Sequence, residues 1–204
     1  MIIIGITGSS GSGKTTVSEI LNRRSDFRVI DADKCAKEMA KPNSPYLNEI
    51  AEKIGNEVIL EDGNLNRKLL ADYIYHEDEK RAILNNITKK HIDNELKNKI
   101  KEIENEAGVK YIIIDAPLLF EMNFEFLCNY TIALIANEAL KIDRICKRDK
   151  VEKEVAKARL AIQNKDDYYE ARADYLLYNN EEDNLEESLD QIIEMINKKE
   201  IERG

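Results

Sequence analysis

The stretch that decides the fold is Ile2-Ile-Ile-Gly-Ile-Thr-Gly-Ser-Ser-Gly-Ser-Gly-Lys-Thr15, in which a glycine-rich segment follows a short apolar run. Its second half fits the pattern G-x-x-x-x-G-K-[ST], and an amphipathic pattern at Val17, Ile20 and Leu21 comes next. This order predicts a strand, a loop and a helix, which is the context in which the pattern forms a phosphate-binding loop. A glycine-serine turn that matches by chance is the alternative, and composition and context both disfavour it.

The residue types of the loop suit a nucleoside triphosphate. Glycines let the backbone wrap closely around a phosphate, so that successive amides point inward at it. The Lys14 ammonium can reach the β- and γ-phosphates, where it would also act in catalysis, and the Thr15 hydroxyl can bind magnesium. We therefore expect ATP and Mg²⁺ as cofactors, with the nucleotide held by Gly11, Ser12, Gly13, Lys14, Thr15 and Thr16.

Further apolar runs predict the rest of the sheet, at Val29-Ile30, Tyr111 to Ile114, Thr131 to Ala136 and Tyr175 to Tyr178. Because these runs are continuous, they favour strands covered on both faces. Helical periodicity separates them, most clearly over about 78–106, as one helix or as two that meet near Lys89, with Gly108 as the cap. The chain is thus predicted to have an α/β fold, a parallel sheet of about five strands flanked by helices.

Net charge, apolar run length and cysteine count argue against a nucleic-acid-binding, membrane-spanning, disulfide-bonded or zinc-binding protein. The net charge of −9 disfavours non-specific binding to nucleic acid, and every apolar run is far shorter than the roughly 20 residues that span a bilayer. The apolar start has no basic flank, so we expect a strand rather than a signal peptide, and a cytoplasmic protein. Three cysteines without a C-x-x-C pair and two histidines favour neither a disulfide framework nor a zinc site.

Acidic residues follow two of the predicted strands. Asp31 and Asp33 come after the second run, and Asp115 ends the third. Parallel sheets bind ligands at the carboxyl ends of their strands. A carboxylate there could accept the proton of a hydroxyl that attacks the γ-phosphate, and Asp115 could hold Mg²⁺ through a water. For Asp31, helix capping is at least as favoured as catalysis.

The segment from Lys141 to Arg159 is locally basic, with eight Lys and Arg against four Asp and Glu, a local charge of +4. One interpretation is a solvated helix with intrahelical ion pairs, such as Glu154 with Lys157. The other is an arginine-bearing lid that closes on ATP phosphates, because phosphoryl transfer depends on positioning and charge neutralisation.

Together these segments resemble the dephospho-coenzyme A kinase family over nearly the whole chain. The matching stretches are Ile4 to Lys14, Val29-Ile-Asp-Ala-Asp33, Asp62 to Arg67 with Leu70-Ala71, Asp115-Ala-Pro-Leu-Leu-Phe-Glu121, Arg144 to Asp149, Arg159 to Gln163, and Ala173-Asp174 with Asn179. The segment Pro117-Leu-Leu-Phe-Glu121 and the aspartate pair are the most specific to that family.

The resemblance implies ATP-dependent phosphorylation of the ribose 3'-hydroxyl of dephospho-coenzyme A. It also implies a single P-loop kinase domain over 1–204, with a helical acceptor-binding insertion at about 34–108 and a helical lid at about 138–165. Asp33 falls on the position of the catalytic base, and Arg148 on a lid arginine that binds ATP and acts in catalysis. Substrate-binding residues would be Asp33, Arg67, Leu118 and Glu121.

The chain departs from the family's pattern at two places. Lys89-Lys90 stands where the family usually has His-Pro, and Lys141 where a glutamine often opens the lid helix. We expect both to bear on acceptor or phosphate contacts. His91 could supply an imidazole nearby, although we expect it to lie on a helix surface. The alternatives are a small-metabolite or nucleoside kinase with another acceptor, or a regulatory P-loop switch, which would bind partners without fast transfer to a small hydroxyl.

Overall fold

A computed structural model describes residues 1–203 of the chain. The backbone contacts divide it into two compact units. The first, called the sheet unit, comprises residues 1–30 together with residue 103 onward, and the second, called the helical unit, comprises residues 31–102.

The sheet unit is built on five strands in the order β2-β3-β1-β4-β5. Their bounds are β1 (Ile2–Thr7), β2 (Phe27–Asp31), β3 (Tyr111–Asp115), β4 (Tyr130–Ile135) and β5 (Tyr175–Tyr178). β1 lies between β3 and β4 and pairs in parallel with both, with Ile6 opposite Asp115 and Ile132. β5 extends the sheet in parallel beyond β4. The predicted five-stranded parallel sheet is confirmed, and the carboxyl ends of its central strands share one edge.

Nine helices and two 3₁₀ turns complete the described chain. They are α1 (Lys14–Asn22), α2 (Ala32–Met39), α3 (Pro45–Lys53), a 3₁₀ turn (Asn56–Val58), α4 (Arg67–His76), α5 (Asp78–Glu104), a 3₁₀ turn (Phe124–Leu127), α6 (Glu138–Asp149), α7 (Lys153–Ala161), α8 (Asp166–Glu170) and α9 (Leu185–Arg203). Within residues 1–203, no helix is both long and apolar enough to cross a membrane.

The sheet packs its apolar side chains against helices α1 and α9. Ile4 and Ile6 of β1 are fully buried, and they belong to one cluster with Leu21 of α1 and with Leu189 and Ile196 of α9. The middle of β3 is also fully buried. Burial of both inward and outward positions explains why these strands are continuous apolar runs in the sequence.

The helical unit has a core of its own. Leu47 and Ile50 of α3, Leu70 of α4 and Ile87 of α5 are buried in one cluster. Helix α5 is a single helix of 27 residues, so the chain does not break near Lys89. α2, α3 and α4 each begin with a side-chain cap, and the capping residues are Asp31, Ser44 and Asn66.

Candidate active site

The loop between β1 and α1 has a backbone that requires glycine. Gly8, Gly11 and Gly13 have φ angles of +137°, +79° and +109°, a region that L side chains rarely adopt. A Cβ on Gly8 would lie 2.5 Å from the carbonyl oxygen of Leu134, and one on Gly11 would lie 2.6 Å from that of Lys141. The glycines of the motif therefore serve both the turn and the close approach of the loop to neighbouring backbone.

Helix α1 begins without a side-chain cap. It begins at Lys14, directly after the loop, and among the described residues no side chain caps it and no acidic residue occupies its first turn. The first amides of a helix lack intrahelical acceptors. Such a helix start, reached through a glycine-rich turn, is a binding site for phosphate.

The Lys14 side chain folds back over the loop. Its ammonium donates to the carbonyl oxygens of Gly8, at 2.6 Å, and Ser9, at 3.2 Å. Thr15 and Thr16 are exposed in the first turn of α1, whereas Ser12 is buried. Thr15 and Thr16 are thus accessible at the start of α1, while the Lys14 ammonium is held by the loop carbonyls.

Two further residues hold the loop, and the sequence analysis named both among the matching stretches without assigning either a role in the site. Arg144 of α6 donates to the carbonyl oxygen of Gly11 at 3.2 Å, and the buried side-chain amide of Asn179 donates to that of Ser12 at 2.8 Å. Arg144 also donates to the backbone oxygen of Asn179 at 3.0 Å. Because the consecutive carbonyls of Gly11 and Ser12 both accept hydrogen bonds, these contacts favour the backbone conformation that the loop adopts here.

Asp115 lies at the carboxyl end of β3, beside β1. The Ser18 hydroxyl of α1 donates to its Oδ2 at 2.6 Å, which ties the carboxylate to the helix that carries Thr15. Residues 1–203 contain no group of three His, Cys, Asp or Glu side chains arranged to hold a metal. A magnesium ion that takes few protein ligands and several oxygens from phosphate and water fits this donor set.

The basic segment contains ion pairs and also contacts the loop. Lys147 pairs with Asp143 one turn before it, at 2.7 Å. Arg148 is exposed, and its Nη2 donates to the Ser10 hydroxyl at 3.3 Å. The amide of Ser10 donates to the Gln163 side chain at 2.9 Å. The segment therefore contains ion pairs within its helices as well as contacts to the phosphate-binding loop, and its closing on ATP phosphates stays a prediction.

Leu118 and Glu121 lie on the surface of the sheet unit. Leu118 is 54% exposed, while the adjacent Leu119 is fully buried and anchors the segment. The side-chain amide of Asn164 donates to Oε1 of Glu121 at 2.5 Å. The family-specific segment thus combines a buried anchor with exposed neighbours that can meet a ligand.

The other predicted residues belong to the helical unit. Asp31 caps α2, and its Oδ1 accepts from the Lys34 amide at 2.9 Å. Asp33 is exposed in the first turn of the same helix. Arg67 is the exposed first residue of α4. Of the two aspartates, Asp31 has a clear structural function.

A sequence profile for dephospho-CoA kinase matches residues 2–184. The chain belongs to the dephospho-CoA kinase family. It is 34% identical over 195 residues to a dephospho-CoA kinase of Listeria innocua, covering 96% of each chain. The solved dephospho-CoA kinase of Campylobacter jejuni superimposes with a TM-score of 0.66 and 28% identity, over 97% of this chain and 98% of that one. TT1252 from Thermus thermophilus gives 0.73 and 26%, over 97% of each chain.

Lys141, one of the two departures from the family's pattern, is buried. Its side chain is 8% exposed, and its ammonium pairs with Asp166 of α8 at 2.8 Å. The sequence predicts a phosphate or acceptor contact for Lys141, whereas its ammonium binds the Asp166 carboxylate and so joins α6 to α8.

The second departure from the dephospho-CoA kinase pattern forms a polar cluster. Glu49 of α3 accepts from Lys90 at 2.8 Å and bonds with Nε2 of His91 at 2.6 Å. The His91 ring packs edge-on against Tyr46, with centroids 5.5 Å apart. The prediction that His91 lies on the surface is wrong, since its side chain is 16% exposed. Lys90 and His91 connect α5 to α3 inside the helical unit.

Proposed function

We propose that this chain transfers the γ-phosphoryl group of ATP to the ribose 3'-hydroxyl of dephospho-coenzyme A, giving coenzyme A and ADP. The observation that carries the proposal is a glycine-dependent loop at an uncapped helix start in a chain that matches the dephospho-CoA kinase profile over residues 2–184. The loop indicates where the donor nucleotide binds, and family membership indicates the identity of the acceptor.

The donor nucleotide would be bound by the loop from Gly11 to Thr16. The backbone amides at the start of α1 would bind phosphate oxygens, and Lys14 would exchange its bonds with the loop carbonyls for the β- and γ-phosphates. Magnesium would be held by the Thr15 hydroxyl and, through a water, by Asp115, which Ser18 orients. The ion supplies charge neutralisation on the phosphates.

Asp33 is proposed as the base. In the transfer, the 3'-oxygen forms a bond to the γ-phosphorus, the bond from that phosphorus to the β,γ-bridging oxygen breaks, and the hydroxyl proton passes to the Asp33 carboxylate. Since such transition states are often loose, orienting the hydroxyl matters as much as removing its proton. The exposed position of Asp33 in the first turn of α2 suits a group that meets substrate.

The lid and acceptor contacts complete the proposal. Arg148, in a lid at about 138–165, would neutralise charge on the transferring phosphoryl group. Arg67, Leu118 and Glu121 would bind dephospho-coenzyme A, with the helical segment at about 34–108 as the acceptor-binding part. A segment of this length exceeds what one crossover helix requires, and it offers surface for a long acceptor.

A coupled assay of ADP release tests the proposal, with dephospho-coenzyme A compared against adenosine, uridine and pantetheine. We expect kcat/KM for dephospho-coenzyme A to exceed that for adenosine by at least about 100-fold, because contacts far from the hydroxyl help to position it. Lys14→Ala should fold normally and lose nearly all turnover. If the protein phosphorylates another alcohol but not dephospho-coenzyme A, the proposed acceptor is wrong and the kinase assignment stands.

A further inference from the structure

Asp149, the last residue of α6, binds two lid arginines at once. Its Oδ1 accepts from Nε of Arg148 at 2.7 Å, and its Oδ2 accepts from Nη2 of the same residue at 3.0 Å. The same Oδ2 accepts from Nη1 of Arg159 of α7 at 2.6 Å. A two-point bond of this kind fixes the plane of a guanidinium as well as its position.

The fixed guanidinium is directed toward the phosphate-binding loop. The Nη2 that binds Asp149 also donates to the Ser10 hydroxyl at 3.3 Å. A guanidinium has five N–H groups, so Asp149 and Ser10 engage three of them and the Nη1 edge lies outside these contacts. Arg159 contributes a second positive charge, so the three side chains together keep a net charge of +1 beside the loop.

Stability alone gives little reason for an aspartate at this place. A carboxylate at the carboxyl end of a helix opposes the helix dipole. Side chains of Arg148 and Arg159 are 58% and 47% exposed, and exposed ion pairs contribute little to folding. The hydrogen bond from Arg148 lowers the pKa of Asp149, which favours the charged carboxylate that both arginines bind.

We propose that Asp149 is a positioning residue, which holds the Arg148 guanidinium toward the phosphate-binding loop while Arg159 balances its charge. The proposal rests on the proposed function, in which Arg148 neutralises charge on the transferring phosphoryl group. A free arginine side chain must give up rotamer entropy to adopt one geometry. Asp149 holds Arg148 in that geometry before any ligand binds.

The test compares Asp149→Asn, Arg148→Ala and the double variant in the ADP-release assay, with ATP affinity and thermal unfolding measured alongside. Asp149→Asn should lower kcat about 10-fold, the rate equivalent of one charge-assisted hydrogen bond, with little change in Tm or ATP affinity. In the Arg148→Ala background the same change should have almost no effect. Asp149→Glu should recover part of the loss. The matched control is Asp143→Asn, because Asp143 pairs with Lys147 on the same helix.

Added guanidinium ion gives a readout that a structural role would not move. It should restore part of the turnover of Arg148→Ala, and less in the double variant, because the carboxylate that captures the ion is gone. Equal rescue in both, or full kcat in Asp149→Asn, would overturn the proposal. An Arg148→Ala variant with wild-type turnover would instead remove the proposed role of Arg148. If the wild type does not use dephospho-coenzyme A, only the proposed acceptor is wrong. The same Asp149 and Arg148 variants would then be compared with the alcohol that the wild type phosphorylates.

Discussion

The buried side-chain amide of Asn179 donates to the carbonyl oxygen of Ser12 at 2.8 Å, across 167 positions of sequence. Asn179 lies directly after β5, while Ser12 lies in the loop that follows β1, two strands away in the sheet. A Cβ on Gly13 would collide with the same amide. The conformation of the phosphate-binding loop therefore depends on the far end of the chain as well as on its own glycines.

Asn179→Ala should weaken ATP binding and lower Tm, because the Ser12 carbonyl loses its partner in a buried place, at a cost of about 1–3 kcal/mol. The control is Asn129→Ala. Asn129 accepts from the Ile3 amide at 2.7 Å, near the opposite end of β1, so its loss should affect Tm without changing ATP affinity. Calorimetric titration with ATP measures both variants, and equal affinities would contradict a role for Asn179 in the loop.

Gly11→Ala should abolish ATP binding, since the new Cβ meets the Lys141 carbonyl at 2.6 Å in addition to the strain of a φ of +79°. Gly108→Ala separates the two effects. Gly108 has a comparable φ of +87° but open space around the added atom, so it should lose about 1–2 kcal/mol of stability and bind ATP normally. Titration with ATP and thermal unfolding of both variants distinguish the effect of the Cβ collision from that of backbone strain.

The sequence predicts what depends on local pattern. The loop from Gly8 to Thr15, the five strands and the long helix α5 follow from glycine spacing, apolar runs and helical periodicity. Errors in the strand bounds are small, since β2 extends beyond the predicted Val29-Ile30 to Phe27–Asp31, and β4 begins one residue before the predicted Thr131.

Local sequence pattern does not predict contacts between distant segments. Arg144 and Gly11 are separated by 133 positions, and Ser18 and Asp115 by 97, so no periodicity links them. Lys141 illustrates the same limit. A lysine in a basic segment predicts a solvent-exposed or phosphate-facing ammonium, and its burial against Asp166 becomes evident once α6 and α8 are placed.

Ser18→Ala should raise the Mg²⁺ concentration needed for half-maximal turnover, because the Asp115 carboxylate loses the hydroxyl that orients it. The shift should be smaller than in Asp115→Asn, which removes the charge. Thr131→Val is the control, since the Thr131 hydroxyl makes a comparable bond of 2.8 Å to Asp174. Its loss should leave the Mg²⁺ titration unchanged, and an unchanged titration in Ser18→Ala would argue against the proposed magnesium position.

Glu49→Gln should lower Tm at neutral pH by an amount that shrinks in acid. Hydrogen bonds from Lys90 and His91 hold the pKa of Glu49 below its ordinary value of 4.5. A lowered pKa in the folded state contributes stability above the unfolded value, and that contribution is lost as the pH falls through the folded value. Thermal unfolding from about pH 7 to about pH 3 measures it. Glu52→Gln is the control, because Glu52 pairs with Lys53 on the exposed surface and should give little difference at any pH.

Asp31 and Asp33 differ in what their side chains do, which allows a sharp comparison. Asp31 is bound to the start of α2, and asparagine caps a helix as well as aspartate does. Asp31→Asn should therefore keep both stability and turnover, whereas Asp31→Ala should lose about 1 kcal/mol of stability. Asp33 is exposed in the first turn and does not cap the helix.

Asp33→Asn should lower kcat by about 10²- to 10⁴-fold, the usual range for a positioned base, with ATP affinity largely kept. The loss belongs in kcat because the carboxylate would act on the acceptor hydroxyl and has no part in holding the nucleotide. Single-turnover transfer to dephospho-coenzyme A, with ATP affinity measured in parallel, gives the two values. If Asp31→Asn loses most of its turnover while Asp33→Asn keeps nearly all of it, the base is the capping residue Asp31 instead.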